Sequence, residues 1–346
     1  MSQLETSGPL PDAGERAAPS SARFPYSNEP ARGWLPWPAL TPVLAILFVV
    51  LPALALSIPL ERFGLQDAKE NPIGFWGLLA FLVFPFAAMA LVVLGWLSTV
   101  ERRSRPTIGL VRVGGLRNLL RGHAIGIATS CAVVGAIALA GGGEPHDLAR
   151  AFHSPRALVQ ITLLLLCFTL QSSAEEILFR GWLLSSVARR SNLAVGVTLS
   201  SLVFTLLHFG RHDPWLNTVN SALFALFAAT LAITTNRLWE VMGWHSGWNW
   251  LLAVGFEQPV TGLDTHMPAL LVALEPRGPA WLTGGAQGPE GSVMCTAFFV
   301  GAIAWMLWRK RGRRLTGFAD EYGLPDSNSG RPSLVNGVDD SRITSP

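Results

Sequence analysis

The run Ser172-Ser173-Ala174-Glu175-Glu176-Ile177-Leu178-Phe179-Arg180-Gly181 sets two carboxylates and a guanidinium inside an apolar stretch that extends from Val159 to Leu184. An ionisable group at the centre of a lone membrane helix costs roughly 2.5–3.5 kcal/mol, so such groups are kept where they face protein or a wet cavity. Two further apolar stretches carry the same anomaly, one with Phe204 and His208, the other with His245 and Asn249. Three polar clusters in neighbouring apolar segments point to a buried reaction centre. A chain built this way has to hide them from lipid inside a bundle.

Composition narrows the class. Of 346 residues, 50% are hydrophobic and 14% charged, well below the roughly 25% charged of a soluble domain. The chain is expected to be an all-α polytopic membrane protein. A net charge of +3 gives no ground for a nucleic-acid partner; the lipid bilayer is the partner the composition demands. Cys131, Cys167 and Cys295 are an odd number without paired spacing, which argues against a disulfide framework or a thiolate metal site. Arginine dominates over lysine, with Lys69 and Lys310 the only lysines. That bias fits a GC-rich genome and a bacterial inner membrane as the location.

A helix needs about 20 apolar residues to cross the hydrocarbon core. Eight spans are expected, near 40–60, 74–98, 122–141, 157–188, 193–210, 216–235, 238–256 and 293–308. Arginines cluster after the second span (Arg102, Arg103, Arg105, Arg112, Arg117, Arg121), after the fourth (Arg189, Arg190), after the sixth (Arg237) and after the eighth (Arg309 to Arg314). Short cytoplasmic loops are enriched in Lys and Arg, so both termini are expected in the cytoplasm. Residues 1–38, rich in Pro, Ser and Ala and without an early apolar core, are expected to be a disordered tail rather than a signal peptide. Residues 39–315 then form the membrane domain, and 316–346 a second polar tail.

Depth follows from a rise of about 1.5 Å per residue. Counted from the arginine-rich side, Glu175 and His208 lie roughly 21 and 22 Å in, and His245 and Asn249 roughly 12 and 18 Å. The clusters share one layer, so their side chains can meet. Residues four apart share a helix face, so Glu176 and Arg180 are expected to pair. Glu175 points about 100° away and is expected to lack a local partner. A carboxylate and an imidazole can hold and deprotonate a water. An imidazole and a carboxamide can stabilise the oxyanion formed when that water attacks an amide. The set fits hydrolysis of a peptide bond within the membrane, in a cavity expected to open toward the arginine-rich face or sideways into lipid there.

The ordered set Glu-Glu-x-x-x-Arg (Glu175, Glu176, Arg180), Phe-x-x-x-His (Phe204, His208) and His-x-x-x-Asn (His245, Asn249) resembles the CPBP family. That family comprises the Rce1-type CAAX prenyl proteases and the bacteriocin-processing enzymes also called Abi. The resemblance covers about residues 102–252. It implies an Rce1-like helical core and an intramembrane endopeptidase acting on a membrane-embedded or membrane-associated peptide or protein. By motif position Glu175 is the base and His208 helps bind the water. His245 and Asn249 form the oxyanion hole, supported by Glu176, Arg180 and Phe204. Members have been described both as metal-dependent and as metal-free glutamate proteases. A Glu/His/His/Asn set is able to ligate zinc, yet no His-Glu-x-x-His is present, so no cofactor is expected. The competing reading is a transporter, scaffold or immunity protein that uses the same polar layer structurally. Transporters often show repeated halves. No internal repeat is visible here, and the polar groups sit in the second half only.

Overall fold

The computed structural model describes residues 26–209 and 215–321, with side chains described through Lys310. The outermost parts of both expected tails, and Gly210 and His212 beyond α6, lie outside the described residues. The chain divides into two units, one ending at Ile303 and one beginning at Ala304. In the second, the Arg309 guanidinium lies over the Trp305 ring at 4.9 Å.

Apolar sequence produces helix almost throughout: α1 (Thr41–Arg62), α2 (Gly74–Thr99), α3 (Gly115–Leu139), α4 (Pro155–Glu176), α5 (Leu184–Arg190), α6 (Leu193–Leu207), α7 (Trp215–Thr235), α8 (Trp239–Gly255), the short α9 (Ala280–Thr283) and α10 (Val293–Glu321). A π-helical segment, Ile177–Leu183, joins α4 to α5 without a break. Two strands, β1 (Gly143–Leu148) and β2 (Val272–Pro276), pair antiparallel and tie the α3–α4 connection to the α8–α10 connection.

The fold is that of a multi-pass, all-helical membrane protein. Six described segments are long and apolar enough to cross a bilayer, among them Pro155–Arg190 and Val293–Lys310. The other two expected spans are shorter. Helix α6 has 15 residues, about 22 Å, and α8 has 17, about 26 Å, against a hydrocarbon core of about 30 Å. Helix α8 is buried almost end to end, so its polar side chains never meet lipid.

Small residues set its position. Gly122 and Gly126 of α3 face Gly243 and Gly247 of α8. A Cβ on Gly122 would fall 2.1 Å from the Glu240 carbonyl oxygen, one on Gly126 2.2 Å from that of Trp244, one on Gly243 2.0 Å from that of Leu119, and one on Gly247 2.3 Å from that of His123. Two small-xxx-small motifs thus interlock, and backbone approaches backbone as in tightly packed membrane helices. Close approach is the use of Gly243 and Gly247, which lie inside the helix and not in a loop.

Helix boundaries obey local chemistry. Ser154 caps α4 by accepting from the Ala157 N–H, with Pro155 in the first turn. Asn192 caps α6 by accepting from the Val195 N–H. The expected tail over residues 1–38 includes a stretch that the structure pins down. Gly33 N–H donates to the Glu101 carbonyl at 2.9 Å and Trp34 N–H to that of Val100 at 3.0 Å. Arg189 donates to the carbonyls of Ser27 and Glu29, and Tyr26 is 5% exposed. A polar composition there reflects backbone pairing with the α2–α3 loop, which needs no apolar side chains.

The α3–α8 crossing yields a test. Gly243→Ala should cost about 1–3 kcal/mol by overpacking, seen as a lower melting temperature in detergent. Gly135→Ala on α3, where a Cβ would meet nothing within 4 Å, should be neutral or stabilise by about 0.5–1 kcal/mol. Equal melting of the two variants would remove the interlock.

Candidate active site

The site forms where α4, α6, α7 and α8 converge. The long segment Pro155–Arg190 runs 36 residues, and the π-helical turn begins directly after Glu176. π-Bulges recur at functional sites because they shift side-chain phase and disturb the hydrogen-bond ladder. Neighbours attend to that disturbance here. The Ser200 hydroxyl of α6 donates to the Phe179 carbonyl at 2.8 Å, and the Tyr26 hydroxyl donates to the Arg180 carbonyl at 3.0 Å. Burial pushes the Tyr26 phenol far above its ordinary range, and the negative Glu176 adds to this; the phenol therefore stays a donor.

Glu176 is the hub. It is fully buried, and its Oε1 accepts from Arg180 at 3.0 Å and from His245 Nδ1 at 2.9 Å. The expected i,i+4 pair exists, and a second helix joins it. Arg180 Nη2 and Glu176 Oε2 are buried without hydrogen-bond partners. For the guanidinium, aromatic faces substitute, since its carbon lies 4.4 Å from the Phe204 centroid and 5.0 Å from that of Phe224.

Phe204 has a second load. The His208 imidazole stacks on it at 4.1 Å, while His208 Nδ1 lies 2.9 Å from the Phe204 carbonyl oxygen. A carbonyl only accepts, so Nδ1 carries the proton and Nε2 is left as the acceptor of the neutral ring. His245 faces carboxylates instead. Its Nδ1 donates to Glu176, and its Nε2 lies 3.8 Å from Glu175 Oε2, close enough for one water to touch both.

Glu175 has a local partner after all. Gln171, one turn earlier, donates from Nε2 to Glu175 Oε1 at 2.9 Å. The Gln171 Oε1 accepts from Ser172 at 3.1 Å and from Asn249 at 3.4 Å. An uncharged amide at i−4 is easily passed over beside two glutamates and an arginine. Its position is the signal that was available.

These groups share one cavity of about 60 Å³, ample for water. Glu175, His208, His245 and Asn249 all line it, with Gln171, Phe204 and Phe224. Glu176 and Arg180 lie behind its wall. Thr261 and Glu290 also line it, and they come from the connection between α8 and α10. Thr261 is exposed. The cavity therefore reaches the surface at the end of α8 away from Arg237 and the arginine-rich loops. The α8–α10 connection thus folds onto the bundle at the cavity. Among the described residues, no group of three His, Cys, Asp or Glu side chains is arranged to hold a metal ion.

Residues 157–251 match a family model described as type II CAAX prenyl endopeptidase Rce1-like. The chain carries an Rce1-like domain. The match spans all seven residues of the three motifs, from Glu175 to Asn249, and it supports placement in the CPBP and CAAX protease family. Gln171 of the cavity falls inside it, whereas Tyr26, Thr261 and Glu290 fall outside. No curated protein and no solved structure matches the chain.

Glu176→Gln should remove the negative charge that Arg180 and His245 share, leaving only a neutral amide oxygen to accept from them. Breaking one side of a buried pair costs about 3–5 kcal/mol, read as a fall in thermal stability. The double variant Glu176→Gln with Arg180→Met should recover much of it, because no buried cation remains unpaired. A double variant no more stable than the single would show that the guanidinium does not depend on Glu176.

Proposed function

We propose that the Rce1-like domain is an intramembrane endopeptidase in which Glu175 activates a water. The observation that carries this reading is the convergence of Glu175, His208, His245 and Asn249, from α4, the end of α6 and α8, on one cavity able to hold water. Glu175 Oε2 takes a proton from the water as its oxygen attacks the peptide carbonyl. His208 Nε2, the free acceptor of its ring, orients the same water through the water's other hydrogen. His245, protonated on both ring nitrogens against Glu176, donates from Nε2 to the oxyanion as it forms, and Asn249 donates beside it. The Glu175 carboxyl then returns the proton to the leaving amine, which closes the cycle.

Glu176 works through His245. By accepting from Nδ1 it fixes the ring and stabilises positive charge on the imidazole while Nε2 donates to the oxyanion, the service a buried carboxylate gives to an imidazole in acyl transfer. Removing one oxyanion donor typically costs 10²–10³-fold in kcat. The substrate is a peptide or protein in or at the membrane; maturation of a secreted peptide and cleavage of a regulatory membrane protein both fit.

Glu175→Gln should abolish cleavage of membrane-reconstituted peptides while leaving the melting temperature within about 1 kcal/mol of wild type in stability terms, since Gln still accepts from Gln171. Cleavage retained by this variant would remove Glu175 as the base.

With both termini in the cytoplasm, as the arginine distribution favours, the rim at Thr261 belongs to the outer face. Thr261→Cys, in a background lacking the three native cysteines, should react with a membrane-impermeant thiol reagent in right-side-out vesicles and resist it in inside-out ones. The reverse pattern would invert the topology.

A further inference from the structure

The cavity holds a second carboxylate, from a part of the chain outside the Rce1-like match. Glu290 stands just before α10, and its two oxygens are separately oriented. Oε1 accepts from the Trp248 indole at 3.0 Å. Oε2 accepts from the Thr261 N–H at 2.7 Å and its hydroxyl at 2.9 Å. Asn220 of α7 fixes the backbone beneath, donating to the carbonyls of Glu290 and Ser292 at 2.7 and 2.9 Å. All of these donors are neutral. Among the described residues no lysine or arginine lines the cavity, and Arg180 is behind Phe204 and Phe224 and committed to Glu176.

A carboxylate oriented by neutral donors among the described residues, in a cavity walled by Phe204, Phe224 and Phe299, presents the two surfaces that recognise an alkylammonium or guanidinium. The carboxylate gives a charge-assisted hydrogen bond, and the ring faces attract the cation and its methylenes. We propose that Glu290 forms a subsite for a cationic group of the substrate, a Lys or Arg side chain or a free amino terminus, beside the bond that Glu175 attacks. The subsite rests on the endopeptidase reading for its place in a reaction, but its binding chemistry does not. The α8–α10 connection thereby adds a second carboxylate to the one that the matched segment supplies.

The full chain would be reconstituted and given quenched-fluorescence apolar peptides that differ at one position, Lys, Arg or norleucine, each with a free or acetylated amino terminus. Wild type should cleave the cation-bearing peptides at least about tenfold better in kcat/KM than the neutral ones, and Glu290→Gln should level that difference. Preference following the side chain or the terminus identifies which cation is read. Hexylammonium and hexanol would be compared as ligands in parallel by thermal shift. Wild type should bind the amine at least about tenfold tighter, and Glu290→Asp, which keeps the charge, should retain that preference. Carbodiimide coupling of the amine to wild type, mapped by mass spectrometry, should join it to Glu290, so the test survives a Gln variant that does not fold. A cation preference unchanged in folded Glu290→Gln, equal binding of amine and alcohol, or coupling confined to other carboxylates would each overturn the subsite. Glu290-dependent amine binding in a wild type that cleaves nothing would sink the endopeptidase reading and leave the subsite standing.

Discussion

A carboxylate that never meets water holds this site together. Glu176 accepts from Arg180 on its own helix and from His245 on α8, so one buried charge fixes a cation and an imidazole at once. Burying charges costs several kcal/mol per ion even after relaxation. Coulomb attraction, two hydrogen bonds and two aromatic faces offset much of that cost. The arrangement adds little net stability and much specificity of geometry, because any displacement of α8 against α4 would leave a bare charge in an apolar core.

That constraint only works if α8 is placed closely by something else. The reciprocal glycines of α3 and α8 do this, replacing side-chain packing by backbone contact at four points. On the far side, a second buried pair fastens the matched segment to the rest of the chain. Arg103 pairs with Glu101 at 2.8 Å and donates to Ser185 and Ser186 at 2.7 and 2.9 Å, while Glu101 accepts from the Trp182 indole at 2.7 Å. Burial pushes the Arg103 guanidinium down and Glu101 pulls it back. Unlike Glu176 and Arg180, neither residue of this pair has a buried polar atom left without a partner. One lock is saturated, as suits a structural joint, and the other keeps unspent valence beside the cavity.

Charges in apolar sequence are conspicuous, and so the motif residues were legible: Glu175, Glu176, Arg180, His208, His245 and Asn249 stand out wherever the surroundings are Leu, Val and Phe. Their convergence on one layer followed from counting residues along helices. Gln171 was not legible, since a neutral amide carries no comparable cost and draws no attention. Glu290 was hidden for a different reason. Acidic residues in a long loop read as solvated, and only the three-dimensional course of the α8–α10 connection carries this one inward. Tyr26 was masked by the Pro- and Ser-rich company it keeps, because a single ordered residue barely changes the composition of a window. The short reach of α8 was also invisible, as a wholly buried helix and a spanning helix share the same apolar signature.

The π-helical turn has a consequence for the whole length of Pro155–Arg190. An ideal α-helix advances 100° per residue, so the surplus residue in Ile177–Leu183 acts as a phase shifter between two halves of one rod. Upstream, the rod shows Glu175 and Glu176 to the cavity and to α8; downstream, it shows Ser185 and Ser186 to Arg103. Loss of a single residue from this turn would rotate one half by about 100° against the other. Either the carboxylates or the serines would then face the wrong neighbour, whatever the residue lost. Length in this turn is therefore under tighter constraint than side-chain identity, and the spacing between Glu176 and Ser185 works as a gauge that couples the chemistry to the scaffold.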